Sequence, residues 1–274
     1  MSMTEIELIS LKKYVSQIDL GTEEAYDILF EAFTQRFPMS MMWFPIKKES
    51  CVFRSRNNIF NKDFYQYSDL SYPPSKDIKK YSRANKPNQQ VFYASDNYAT
   101  NLTELLPFWS QNISTGKSFS VTTGIWGLSK SIIVSVIPDV SNERMIPFIE
   151  KISELKHNSI IQNYWSYINS FFRTQGFYEQ NVYKFTSAFC NALIHNIKQS
   201  GNLVDGVLYT SVQDPSGWNI AISPEAFDSI FFLKDVVKHF IQMEGFKNGK
   251  PVYNNFRGDV IPHKLDRSLK KIIW

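Results

Sequence analysis

The stretch VFYASDNYATNLTE, residues 91–104, sets an aromatic residue, Tyr93, and an acid, Glu104, eleven positions apart on either side of a polar bend. The spacing raises the question whether the ring and the acid meet at one site or serve separately. Taken singly, each residue has an ordinary use, the tyrosine in a core and the glutamate on a solvated helix. Other chemistries lack their parts. His157, His195, His239 and His263 stand singly, without metal-ligand spacing to one another or to Cys51 and Cys190, so no metal centre is expected. No GxSxG elbow, GxxxxGK[ST] loop or GxGxxG turn occurs, which leaves serine hydrolase, P-loop and Rossmann readings without local support.

Elements must hold these residues in place. The segment 4–18 has apolar residues at Ile6, Ile9, Tyr14, Val15 and Ile18, a helical stripe. A second helix is predicted in GTEEAYDILFEAFTQRF, with Thr22 as its cap and Tyr26, Leu29, Phe30 and Phe33 on one face. CVFRSRNN, residues 51–58, reads as a strand that brings Arg54 out of an apolar context, and residues 57–88 carry loop chemistry. Residues 91–94 read as a strand, and SDN offers caps for a helix with Leu102, Leu105 and Leu106 that Pro107 is expected to stop. Strands follow at 118–123 and 131–137, helices at 143–173 and 182–199, the latter ended by Gly201, and two strands at 205–211 and 218–223 joined by QDPSG. The aromatic run NYWSYINSFF reads as core packing, PMSMMWFP as an apolar cluster of the same kind, and HKLDRSLKK as a solvated charged face or tail. Helix and strand signals alternate without a βαβ rhythm, so the fold class is α+β rather than doubly wound.

A chain of 274 residues with 43% hydrophobic and 15% aromatic residues can bury a sizeable core. Its 30 basic and 26 acidic residues give a net charge of +4, dispersed in pairs such as Lys47/Lys48 and Lys79/Lys80, so direct nucleic-acid binding is not expected. Two distant cysteines form no disulfide framework and suit a reducing cytosol. No cleaved signal and no apolar run of about 18 residues is visible, which predicts a soluble, cytoplasmic protein with no membrane partner, although signal-independent export would leave no such trace.

The residues RANKPNQQVFYASDNYATNLTE, with FRSRNN upstream and DGVLYTSVQDPSGWNIAI downstream, resemble the RES domain family, named for an arginine, a glutamate and a serine. Its pattern is an Arg ending an early strand, a Gly-Arg-x-Asn segment, a strand Tyr followed eleven positions later by Glu, and a late Tyr-x-Ser. Arg54, Arg83 with Asn85, Tyr93, Glu104 and Ser211 match in order across roughly residues 50–225. Ser82 departs from the usual Gly, and Arg56 competes with Arg54 for the early arginine. The resemblance implies an ADP-ribosyltransferase-like split β-sheet core with surrounding helices, in which residues 1–50 form an N-terminal helical extension packed on a catalytic domain of residues 51–274.

It also implies an enzyme that degrades NAD+ as its substrate, as glycohydrolase or phosphorylase, needs no prosthetic group, and acts as a toxin with a neutralising antitoxin protein. A mono-ADP-ribosyltransferase and a non-catalytic binding module are the alternatives. Cleaving the nicotinamide–ribose bond expels a neutral leaving group while positive charge develops on the ribose, so a carboxylate and a clamp suffice. In that scheme Glu104 stabilises the oxocarbenium ion, Arg54 and Arg83 anchor the pyrophosphate, Tyr93 faces the nicotinamide, and Ser211 offers a hydroxyl to ribose or amide. Asn219 is read as satisfying a strand terminus. Oligomeric state is left open.

Overall fold

The computed structural model describes residues 3–58, 62–112, 114–150, 157–174, 180–247, 250–255 and 257–274. The protein is α+β, a nine-stranded mixed sheet with helices packed around it. Its strands are β1 (Trp43–Ile46), β2 (Cys51–Asn58), β3 (Phe92–Ser95), β4 (Ser118–Leu128), β5 (Ile132–Val136), β6 (Gly206–Thr210), β7 (Trp218–Ile222), β8 (Phe231–Lys247) and β9 (Lys250–Asn255). They lie in the order β1-β5-β6-β7-β3-β2-β4-β8-β9, and every neighbouring pair is antiparallel except β5 with β6. β2 pairs with β4 along its whole length, from Cys51 opposite Gly127 to Asn58 opposite Ser120. It meets β3 through a single pair, Phe53 opposite Ser95. The sheet thus divides into two halves joined at one point, the split that the resemblance implied.

Helix α1 (Glu5–Ser16) starts with a capping box, in which Thr4 Oγ1 accepts from Glu7 N at 3.3 Å and the Glu7 carboxylate accepts from Thr4 N at 2.8 Å. Those bonds hold the Glu7 carboxyl below its usual pKa. Helix α2 (Ala25–Glu31) continues into a π-helical turn, Ala32–Arg36. Phe33 from this turn packs edge-on against Phe185 and Phe189 at 5.4 and 5.2 Å. The N-terminal residues therefore share one core with the rest of the chain, and β1 from the same segment forms the edge of the sheet.

Two amphipathic helices follow later, after helices α3 (Tyr98–Thr103), α4 (Leu106–Asn112) and α5 (Ile146–Ile149). In α6 (Ser159–Arg173), Ile161, Tyr164, Trp165, Ile168 and Phe172 make the buried stripe, so the aromatic run there is core. In α7 (Val182–Gln199) the stripe runs through Phe185, Phe189, Leu193 and Ile197, and Gly201 at φ +80° ends the helix as expected. Helix α3 packs against both β2 and β3, and beside α4 Trp109 packs with Val121 and Ile241 in a separate small core that Leu102 and Leu105 adjoin.

Several local expectations change. Thr22 does not cap α2: its hydroxyl donates to Asp19 O at 3.2 Å within a turn, and the helix begins after Glu24. Helix α3 ends at Thr103, four residues before Pro107 as expected, and Pro107 then lies in the first turn of α4, where its missing N–H costs nothing. The region 143–173 is interrupted. Asn158 restarts it by accepting from Ile160 N and Ile161 N, and residues 151–156 of the expected helix lie outside the described residues, as do 59–61 of the expected loop. The charged segment near the C-terminus is no tail but a hairpin, β10 (Lys264–Asp266) with β11 (Lys271–Ile273), anchored by the buried Ile272. The 17-residue β8 had no sequence forecast.

Gly206 sits where β6 passes close to its neighbour, and a Cβ there would stand 2.2 Å from the carbonyl oxygen of Ala221. Gly206→Ala is expected to lower stability by about 1–3 kcal/mol through forced backbone displacement, read from urea denaturation midpoints.

Candidate active site

Glu104 follows α3, a helix whose start is fixed by Asn97 Oδ1 accepting from Thr100 N at 3.0 Å. Its Oε1 accepts two hydrogen bonds, from Ser211 Oγ at 2.5 Å and from Asn219 Nδ2 at 2.6 Å. Oε2 has no partner among the described residues. The helix packs against both β2 and β3, so the carboxylate lies over the join between the two halves, held by Ser211 and Asn219 from one of them. Both donors are themselves held. Asn219 Oδ1 accepts from Ser95 Oγ at 2.7 Å, and Ser211 Oγ accepts from Asp214 N at 3.0 Å.

Asp214 binds the helix a second time by accepting from Thr100 Oγ1 at 2.6 Å. Burial would raise its pKa, but the bonds from Ser216 and Thr100 outweigh burial and lower it. The QDPSG turn passes so close to α3 that a Cβ on Gly217 would stand 2.0 Å from Thr100 Oγ1.

Arg54 projects from β2 beside the point where the halves join. Its Nε donates to Ser71 O at 3.1 Å and its Nη1 to Tyr93 O at 2.7 Å, and the guanidinium lies 5.5 Å from the centre of the Phe92 ring. Burial, with neighbouring Arg56, lowers its pKa to about 10, which leaves it charged at neutral pH. Arg56 faces a different recess, donating to Asp69 O at 2.5 Å, so Arg54 is the arginine that lines the cleft.

Tyr93 presents its ring to the cleft and commits its hydroxyl to the 82–85 turn, accepting from Ala84 N at 2.9 Å and donating to Asn85 Oδ1 at 2.8 Å. Burial pushes its pKa far up, so it stays neutral. Ser82 occupies this turn without positive φ, donating from its N–H to Asn85 O at 3.0 Å, and the absent glycine strains nothing. Arg83 leaves the turn toward the end of α6, where its Nη2 donates to Thr174 O at 2.8 Å, and it stacks 5.3 Å from the Tyr183 ring centre.

Three adjoining recesses make a groove. The central one, about 250 Å³, is bounded by Arg54, Tyr93, Glu104, Arg83 and Asn219. Arg83, Glu104 and Tyr183 are shared with a recess of about 350 Å³ that extends toward Phe108 and Gln213. Arg54, Ser82 and Tyr93 are shared with one of about 410 Å³ beneath Lys79 and Lys80.

The structure therefore gathers Arg54, Arg83, Tyr93 and Glu104 around one cleft. Ser211 and Asn85 do not line its centre. Ser211 is 1% exposed with its hydroxyl turned to Glu104, and Asn85 braces the Tyr93 hydroxyl. Asn219, taken from sequence as a strand terminus, holds the carboxylate instead. Tyr209 also escaped the sequence reading, although it begins the Tyr-x-Ser motif. It is 3% exposed, pairs with Asn219 across the strands, and lines the cleft with a hydroxyl that has no hydrogen-bond partner among the described residues. Among the described residues no group of three or more His, Cys, Asp or Glu could hold a metal ion, and no helix is long and apolar enough to cross a membrane. Tyr93→Phe is expected to cost about 1–3 kcal/mol in urea denaturation, because it strands the Ala84 N–H and the Asn85 carbonyl while leaving the ring in place.

The RES domain pattern matches residues 55–238, beginning immediately after Arg54. No curated protein matches the chain. Among solved structures, a chain of the M. tuberculosis MbcT–MbcA toxin–antitoxin complex is similar at 12% identity, covering 80% of this chain and 93% of that one, with a TM-score of 0.37. That likeness is too distant to bear on the site. The match over residues 55–238 takes in well over half of the sequence, and the chain belongs to the RES domain family.

Proposed function

We propose that the protein cleaves the nicotinamide–ribose bond of NAD+. The observation that carries this reading is the Glu104 carboxylate, pinned through Oε1 by Ser211 and Asn219 while Oε2 is left without a protein partner at the meeting of two recesses. A carboxylate fixed in this way can accept from a ribose hydroxyl and stabilise charge developing at the anomeric carbon without reorganising during the reaction. Nicotinamide departs as a neutral molecule, so the leaving side needs no proton donor. Water then gives ADP-ribose and a proton, or inorganic phosphate gives the corresponding ribosyl phosphate.

The remaining residues fit a dinucleotide. Arg54 keeps its Nη2 unused, and its charge suits a pyrophosphate. The Tyr93 ring, with its hydroxyl tied back, offers a fixed flat face, and the Tyr209 hydroxyl supplies a hydrogen-bonding group that a bound ligand would satisfy. Ser211, Asn219 and Asn85 act as positioning residues. Uncontrolled loss of NAD+ is harmful to a cell, so we infer a toxin held in check by a neutralising protein, the arrangement implied by family membership.

Purified protein should release nicotinamide from NAD+. Glu104→Ala should reduce the rate by about 10²–10³, and an unchanged rate in a folded Glu104→Ala variant would remove the assignment. Ser211→Ala and Asn219→Ala should each lower kcat by roughly 10- to 100-fold, the worth of one hydrogen bond to a charged group, with little change in KM. Running the assay with and without phosphate separates hydrolysis from phosphorolysis. Stable label from NAD+ on a lysate protein would mean ADP-ribosyl transfer instead, and binding without turnover would mean a non-catalytic module.

A further inference from the structure

A cavity larger than the cleft lies across the 67–77 segment from it, with a volume of about 1020 Å³, at the upper end of the range for small-molecule sites. Its apolar wall is built from rings that brace one another. Trp126 and Phe227 pack at 4.8 Å, Phe227 and Phe231 at 5.5 Å, and Tyr72 stands edge-on to Phe227 at 5.4 Å with its hydroxyl donating to Asp228 Oδ2 at 2.8 Å. Rings held on several sides do not fold into the space between them, so the cavity is preformed.

The rim is charged. Arg56, Arg267 and Lys270 balance Asp69, Asp77 and Asp228 in formal charge, but not in free hydrogen-bonding capacity. Asp69 accepts from Tyr65 N and Gln66 N at 3.1 and 2.9 Å, Asp228 from Tyr72, and Arg56 donates to Asp69 O. Among the described residues the side chains of Arg267 and Lys270 have no hydrogen-bond or ion-pair partner, and on the acidic side only Asp77 is similarly uncommitted. The two free cations sit on the β10–β11 turn, whose backbone is fixed by Tyr67 N donating to Lys270 O at 2.9 Å and Leu269 N to Asp266 Oδ1 at 3.0 Å. An aromatic wall in a cavity rimmed by two unused cations on a held backbone turn matches a flat ring system with an anionic substituent.

We propose that this cavity is a second ligand site, separate from the cleft, for a planar aromatic molecule bearing an acidic group. The site stands whether or not the chain degrades NAD+. The test is a fluorescence titration of the intact chain with 8-anilinonaphthalene-1-sulfonate, beside its uncharged relative N-phenyl-1-naphthylamine. One saturable site per chain is expected, binding the sulfonate at least about tenfold more tightly than the amine. Arg267 and Lys270 are both exposed, and the double variant Arg267→Glu/Lys270→Glu should keep its melting temperature and lose at least about tenfold in sulfonate affinity. Glu104→Gln should leave that affinity within about twofold. Equal binding of the neutral probe overturns the proposal whatever the variants do. So does an affinity untouched by the charge reversal, loss of binding in Glu104→Gln, non-saturable binding, or none.

Discussion

The site turns on a carboxylate held over the join between two halves of a sheet whose ladder connects them through one residue pair. Phe53 opposite Ser95 is the one residue pair in the ladder between β2 and β3, and the halves are joined besides by a shared hydrophobic core, in which Phe92 packs on Trp126 at 5.7 Å, by Arg54 donating to Tyr93 O, and by the polar bonds around Glu104. Each group in that cluster is committed to the next: Ser95 to Asn219, Asn219 and Ser211 to Glu104, Asp214 to both Ser211 and Thr100. Inside a low-dielectric seam such bonds are strong when complete and expensive when broken, so the cluster specifies one position of α3 over the join. The same completeness leaves one carboxylate oxygen facing the groove.

Arginine plays the corresponding part on the other side of the join. Arg54 and Arg56 alternate along β2 with Ser55 between them, and they fasten the carbonyls of Ser71 and Asp69 respectively. The two guanidiniums thereby hold one irregular segment as a partition, with the groove on the Arg54 side and the ring-walled cavity on the Arg56 side. A charge lodged this deeply is retained because backbone oxygens satisfy it.

The elements that were legible in the sequence are those whose signal is local. The stripes of α6 and α7, the Gly201 stop, the bend at Asn97 and the strand around Tyr93 all follow from period, cap and turn chemistry over a few residues. β8 was not legible. Its pairing with β4 slips between Ile125 and Trp126, and its buried residues change side along the strand, with Leu233 and Val236 in one core and Ile241 in the other. No single alternation survives such a change. Thr22 was misread for the opposite reason, since its strong capping preference was used by a neighbouring turn instead.

Residue order alone determined that an arginine, a tyrosine and a glutamate were candidates for one site, because their types and spacing match the family's pattern. It also left the histidine-metal and glycine-loop chemistries without local support, since their motifs do not occur. Tertiary structure alone decided which arginine faces the groove, that Ser211 serves the carboxylate and not the cleft, and that Asn219 and Tyr209 belong to the site. Those assignments depend on which side chains meet across strands more than a hundred residues apart in sequence. Burial and hydrogen-bond direction arise only when the chain closes, so neither is written in any short stretch of it.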